Sequence, residues 1–200
     1  MRKTLAITRR ERCWRAAPLR ILCCLVLGAS AAAAAEFYPA DAIKAAFLYR
    51  FAGFISWPPA EAGNSRFVIA TWGADRVADE LQRNLPALSI ANRPVELRRI
   101  HDIRSLAQAQ LVYFGPGHRA ELRRASVAMA GSPVLLISDE AYGLEDGSAI
   151  NMLAIERRIR FEISMAALQR NGLKASSELL SHAVRVQALG TIVNQLGESP

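Results

Sequence analysis

The sequence predicts an α/β protein: a mostly parallel sheet with helices on both faces and an antiparallel hairpin at one edge. Three observations lead there. Phe67-Val68-Ile69-Ala70, Leu111-Val112-Tyr113-Phe114 and Val134-Leu135-Leu136-Ile137 are continuous apolar runs, closed by Trp72-Gly73, Gly115-Pro116-Gly117 and Ser138-Asp139. A strand with no polar alternation is buried on both faces, the condition of a parallel sheet covered by helices. Helical stretches separate these runs, as parallel crossovers require. Later, Ile159, Phe161 and Ile163 alternate with Arg160 and Glu162, and Ala149 to Ile155 precede them across Glu156-Arg157-Arg158. That pattern is a hairpin with one wet face.

Residues 1–35 read as a secretory signal, with cleavage between Ala35 and Glu36. Seven basic residues and one acid precede an apolar run of nine, Ile21 to Ala29, and small residues fill Ala31 to Ala35. This is the order of a signal peptide, and the run is too short to span a bilayer. Residues 36–200 then form a single exported domain.

Tyr38 to Pro59 opens that domain. Ile43, Phe47, Phe51, Phe54 and Ile55 recur at the spacing of one helix face, with Asp41 near the start and Trp57-Pro58-Pro59 as the stop. Such a helix is roughly 27 Å long. Part of its aromatic face, Tyr49, Phe51 and Trp57, is the candidate surface for a protein partner. After the first strand, Asp75 caps a helix to Leu85 with Val77 and Leu81 inward, stopped by Pro86. Val95 and Leu97 behind Pro94 fit a strand at or near an edge. A helix runs from about His118 to Ala130, ended by Gly131. Ser164 caps a short helix ended by Gly172. Ser176 or Ser177 starts the last one, with Leu179, Leu180, Ala183 and Val184 on its buried side.

Charge and cysteine usage exclude several functions. Of 25 basic and 18 acidic residues, 7 and 1 lie in the signal, leaving 18 and 17, a net of +1. Nothing in that balance points to nucleic acid. Cys13, Cys23 and Cys24 all lie within the signal, so the exported chain has no thiol nucleophile, redox switch or cysteine metal site. No His-Glu-x-x-His occurs, and no metal or cofactor is expected. In a parallel sheet, ligands favour the carboxyl ends of strands, which places Trp72, Gly115 and Asp139 in the candidate ligand loops. Gly115-Pro116-Gly117 lacks the P-loop lysine and reads as a tight turn. His118, Asp139 and Ser138 can be drawn as a triad, but no serine sits in a Gly-x-Ser-x-Gly elbow. We expect no catalytic residues.

Several stretches together resemble the YfiR family of periplasmic proteins: Ala42 to Phe51, Phe54 to Pro58, Val134 to Asp139, Gly147 to Met152, Ile159 to Ile163 and Gly172 to Leu180. The resemblance implies a compact α/β periplasmic domain, often dimeric. It also implies a non-enzymatic regulator that binds the periplasmic sensor region of an inner-membrane diguanylate cyclase and represses cyclic di-GMP synthesis, and with it biofilm growth. Relatives beside other signalling proteins extend the implied partners to a sensor kinase. The disulfides of the family's named member are not carried over, since no cysteine follows residue 24. The alternatives are a periplasmic small-ligand sensor acting on a membrane sensor kinase, and a secreted hydrolase using His118 and Asp139.

Overall fold

The structure, a computed structural model, describes residues 40–58, 66–84 and 88–188. The signal segment, its cleavage site at Ala35 and Glu36, and the stop at Pro86 lie outside the described residues.

In chain order the elements are α1 (Ala40–Phe54), β1 (Ile55–Ser56), β2 (Phe67–Trp72), α2 (Asp75–Asn84), β3 (Ser89–Ile90), β4 (Arg93–Arg99), a 3-10 helix (Ile103–Gln108) and β5 (Leu111–Phe114). Then come α3 (Arg119–Ala128), β6 (Leu135–Ser138), β7 (Ile150–Ile155), β8 (Arg158–Ser164), α4 (Met165–Arg170), β9 (Lys174–Ala175), α5 (Ser177–His182) and β10 (Arg185–Gln187). Eight strands make the main sheet in the order β10-β8-β7-β6-β5-β2-β4-β3. From β7 to β4 neighbours are parallel, and β7–β8 and β3–β4 are antiparallel. No helix among the described residues is long and apolar enough to cross a membrane.

The continuous apolar strands serve two cores, as their composition requires. Phe67, Ile69, Leu111, Tyr113, Leu135 and Ile137 face α1 and α2 on one side. Val68, Ala70, Val112, Phe114 and Leu136 face Leu106, Leu122 and Ala125 of the 3-10 helix and α3 on the other. Successive strand residues alternate between these cores, so neither face can be polar. Buried Gln110 joins three strands: its backbone N–H donates to Val68 O (3.1 Å), its side-chain Oε1 accepts from Val68 N (2.8 Å), and its carbonyl accepts from Leu135 N (2.8 Å).

Several elements depart from the sequence pattern. α1 ends at Phe54, and Ile55 enters β1. Its fully buried residues are Ala45, Leu48, Phe51 and Ala52, whereas Ile43, Phe47 and Phe54 are half-buried. The small alanines let the helix approach the sheet, and the phenylalanines fill its margins; Phe47 lies 5.9 Å from Phe161. Asp75 lies inside the first turn of α2, and the helix begins its hydrogen bonding at the Ala74 carbonyl, 3.0 Å from Ala78 N. The hairpin stands towards one end of the sheet, with Glu156 and Arg157 both at positive φ (49° and 62°), but β10 lies outside it. The face expected to be wet is not wet at Glu162, which is buried and held by Asn151 of β7 and by Arg185. Val184 is exposed: the last helix stops at His182, and the chain turns into β10. The caps at Ser164 and Ser176 form as expected, accepting from Ala167 N and Leu179 N.

Candidate functional site

Parallel order brings the ends of β2, β5 and β6 side by side, so Trp72, Gly115 and Asp139 do share one end of the sheet. That end is closed. Trp72 is buried and stacks on Phe114 at 5.8 Å between centroids. A Cβ at Gly115 would lie 2.4 Å from Gly73 O, so backbone packs on backbone there. Gly73 has φ of 59°, and a Cβ on it would overlap the His118 ring. The start of α3 offers backbone N–H groups, as a helix N-terminus does. Glu140 already occupies them: its Oε1 accepts from Gly117 N and from His118 N (2.9 Å).

His118, Ser138 and Asp139 have different partners. His118 Nδ1 lies 3.2 Å from Gly115 O and 3.1 Å from Pro116 O, which places its proton on that nitrogen. Ser138 Oγ lies 2.8 Å from Asn151 Oδ1 and 3.0 Å from Ser148 Oγ. Asp139 Oδ2 pairs with Lys44 from α1. None of these bonds links two members of the drawn triad.

Two buried polar groups follow from this arrangement. Asn151 is fully used: Oδ1 also accepts from Glu140 N (3.1 Å), and Nδ2 donates to Glu140 O (3.0 Å) and Glu162 Oε1 (2.9 Å). Glu162 Oε2 accepts from Arg185 Nε at 2.7 Å. Gly143 makes room for this web, since a Cβ there would lie 2.3 Å from Ser138 Oγ and 2.4 Å from Asn151 Oδ1. The second group is Lys44, Asp139 and Tyr113. Burial pushes the Asp139 carboxyl above its ordinary value, and Lys44 pulls it back. Burial and the Asp139 charge push the Tyr113 phenol up. Tyr113 and Asp139 interact electrostatically, and neither Tyr113 Oη nor Asp139 Oδ1 has a partner at full hydrogen-bond geometry.

The three aromatic residues expected at a partner surface are differently placed. Phe51 is 1% exposed and packs edge-on to Phe161 at 4.9 Å, so it lies beneath the surface and offers a partner almost no area of its own. Tyr49 and Trp57 are half-buried; Tyr49 Oη donates to Ser89 O (3.0 Å) and Trp57 Nε1 to Pro133 O (3.1 Å). α1 presents Ala46, Arg50 and Gly53 to solvent instead, with Ile43, Phe47 and Phe54 beside them. A groove of about 640 Å³ runs between this face and α2, and one of about 250 Å³ lies between it, β8 and α5. Among the described residues no cluster of three His, Cys, Asp or Glu is placed to hold a metal ion.

The arrangement at the strand ends is a set of internal locks, and the open geometry lies on α1. The profile of the YfiR/HmsC-like family matches residues 41–184. The chain belongs to the YfiR/HmsC-like family. The match opens one residue into α1 and closes just before β10, so the open face of α1 and both polar webs, apart from Arg185, fall within the YfiR/HmsC-like region. Among solved structures the chain is similar to a conserved domain protein from Vibrio cholerae O1 biovar El Tor, at 9% identity and a TM-score of 0.42. That similarity covers 60% of this chain and 54% of the other, so the chain spans about half of that protein. No curated protein matches.

Proposed function

We propose that this chain is an exported regulator that binds the periplasmic sensor region of an inner-membrane diguanylate cyclase and represses cyclic di-GMP synthesis. The observation that carries this reading is the YfiR/HmsC-like match across residues 41–184. Export rests on the signal pattern of residues 1–35. The geometry supports binding over chemistry, because the titratable groups at the strand ends are engaged with one another. Repression works by differential affinity: the regulator binds the sensor's off-state more tightly than its on-state. Moving an even equilibrium to 99% off requires about 2.7 kcal/mol of preference, roughly a hundredfold.

Deleting the gene tests the reading. Cyclic di-GMP rises, and removing one diguanylate cyclase as well abolishes the rise. The exported chain restores the low level, and a version without residues 1–35 does not. Full complementation by the unexported version would place the target in the cytoplasm and end this proposal.

A further inference from the structure

The outer face of α1 is built for contact from outside. Its row of Ile43, Ala46, Phe47, Arg50, Gly53 and Phe54 covers three helical turns, about 16 Å. Phe47 and Arg50 line both flanking grooves, so the row is a ridge between two furrows. That is the relief into which a second helix packs, ridge into groove.

Two further observations give the occupant's character. Arg50 and Arg160 both line the smaller groove, over a floor that includes Phe51 and Phe161, and neither side chain makes an ion pair or hydrogen bond among the described residues. On α3, by contrast, Arg119, Arg123 and Arg124 each meet a carboxylate. Glu178 lies on the α5 wall of the same groove and pairs with neither cation, so the groove keeps a net positive charge. Gly53 is the second observation. Glycine weakens a helix, and a Cβ here would meet nothing within 4 Å. No contact among the described residues calls for it, and its absent side chain opens the helix backbone to a close neighbour.

We infer that the ridge of α1 and the groove toward β8 and α5 receive an amphipathic helix of the partner, with apolar residues against Phe47 and Phe54 and a carboxylate against Arg50 and Arg160. A second copy docked by this same face would bring the same net positive groove against itself, whereas an acidic partner segment complements Arg50 and Arg160, so the occupant is an acidic partner segment. This rests on the regulator reading and names the surface it uses.

The test titrates the purified mature chain against the periplasmic region of the cyclase whose removal suppresses the deletion. Arg50→Glu weakens binding by about tenfold or more, as reversal of a contact charge does, and Gly53→Gln weakens it while leaving the melting temperature unchanged or higher. Val127→Asp, on the exposed side of α3, leaves binding as it was. Added salt weakens the wild type more than Arg50→Glu. Folded Arg50→Glu and Gly53→Gln proteins that bind like the wild type overturn the docking surface and leave the regulator reading standing. A wild type that binds no cyclase sensor region overturns both. If the two variants change the oligomeric state and not partner affinity, the occupant is a second copy and the inference is wrong.

Discussion

The end of the sheet around Asp139 and the outer face of α1 are both lined by polar and aromatic residues, and they have opposite uses. At the strand ends, Glu140, Asn151, Glu162 and Lys44 all reach groups of the chain itself. On α1, the Arg50 side chain meets no partner among the described residues, and a Cβ on Gly53 would meet nothing within 4 Å. Substitution at the first region acts on folding, because buried polar groups left unpaired are costly. Substitution at the second acts on binding, because the fold loses little there. The comparison gives a rule for sorting mutants: stability should fall for one region and stay level for the other.

The largest effects belong to the interior. Lys44→Met leaves Asp139 buried without its countercharge and costs about 3–5 kcal/mol at neutral pH, read by urea unfolding. The pH sign follows from the raised Asp139 value. A carboxyl held above its unfolded value contributes stability that is present below about 3.9 and is lost as pH rises through the folded value. Removing Lys44 raises that folded value further, so the deficit of Lys44→Met grows with pH and closes in acid. A deficit independent of pH would mean that Lys44 matters for packing alone. Adding Asp139→Leu to Lys44→Met restores most of the loss.

Phe51→Ala costs about 3–5 kcal/mol, because the ring is wholly inside the core. Phe47→Ala, half-buried on the ridge, costs less, and the gap between the two measures how sharply the helix divides core from surface. Gly143→Ala pushes a methyl against Ser138 and Asn151 and costs about 1–3 kcal/mol, visible as a lower melting temperature. The smallest change has the opposite sign: Gly53→Ala raises stability by up to about 1 kcal/mol. Destabilisation there would show that Gly53 serves the fold, and the contrast between the two regions would collapse.

The parallel sheet was legible because Leu111 to Phe114 and Val134 to Ile137 have no polar face to turn outward. The neighbouring ends of β2, β5 and β6 followed from that order, so Trp72, Gly115 and Asp139 could be placed together. Their closure could not be read, since it depends on partners far along the chain: Lys44 meets Asp139 across 95 residues. Glu162 looked solvated because it alternates with Phe161 and Ile163, and its buried partners, Asn151 and Arg185, lie 11 and 23 residues away along the chain. Asn151, between Ile150 and Met152, carried the available signal, an amide in an otherwise apolar strand that needs buried partners. β10 was missed because Arg185-Val186-Gln187 is short and polar, and its strand character comes from parallel pairing with β8. The α1 aromatic row misled for a related reason. Periodicity finds a stripe, but the alanines at 45 and 52 decide which side meets the sheet.

α1 is fastened at both ends. Near its start, Lys44 reaches Asp139 at the end of β6. Past its last turn, Ile55 and Ser56 pair with Ala175 and Lys174, Phe54 O accepts from Ser176 N (2.9 Å), and Trp57 holds the Pro133 carbonyl. A helix pinned in this way has little conformational freedom left to surrender when something binds across it. Ordering costs that weaken association on mobile loops are therefore small on this rod. Much of the ordering that a partner would otherwise impose has already been done by folding, and contact area on α1 converts into affinity with less loss.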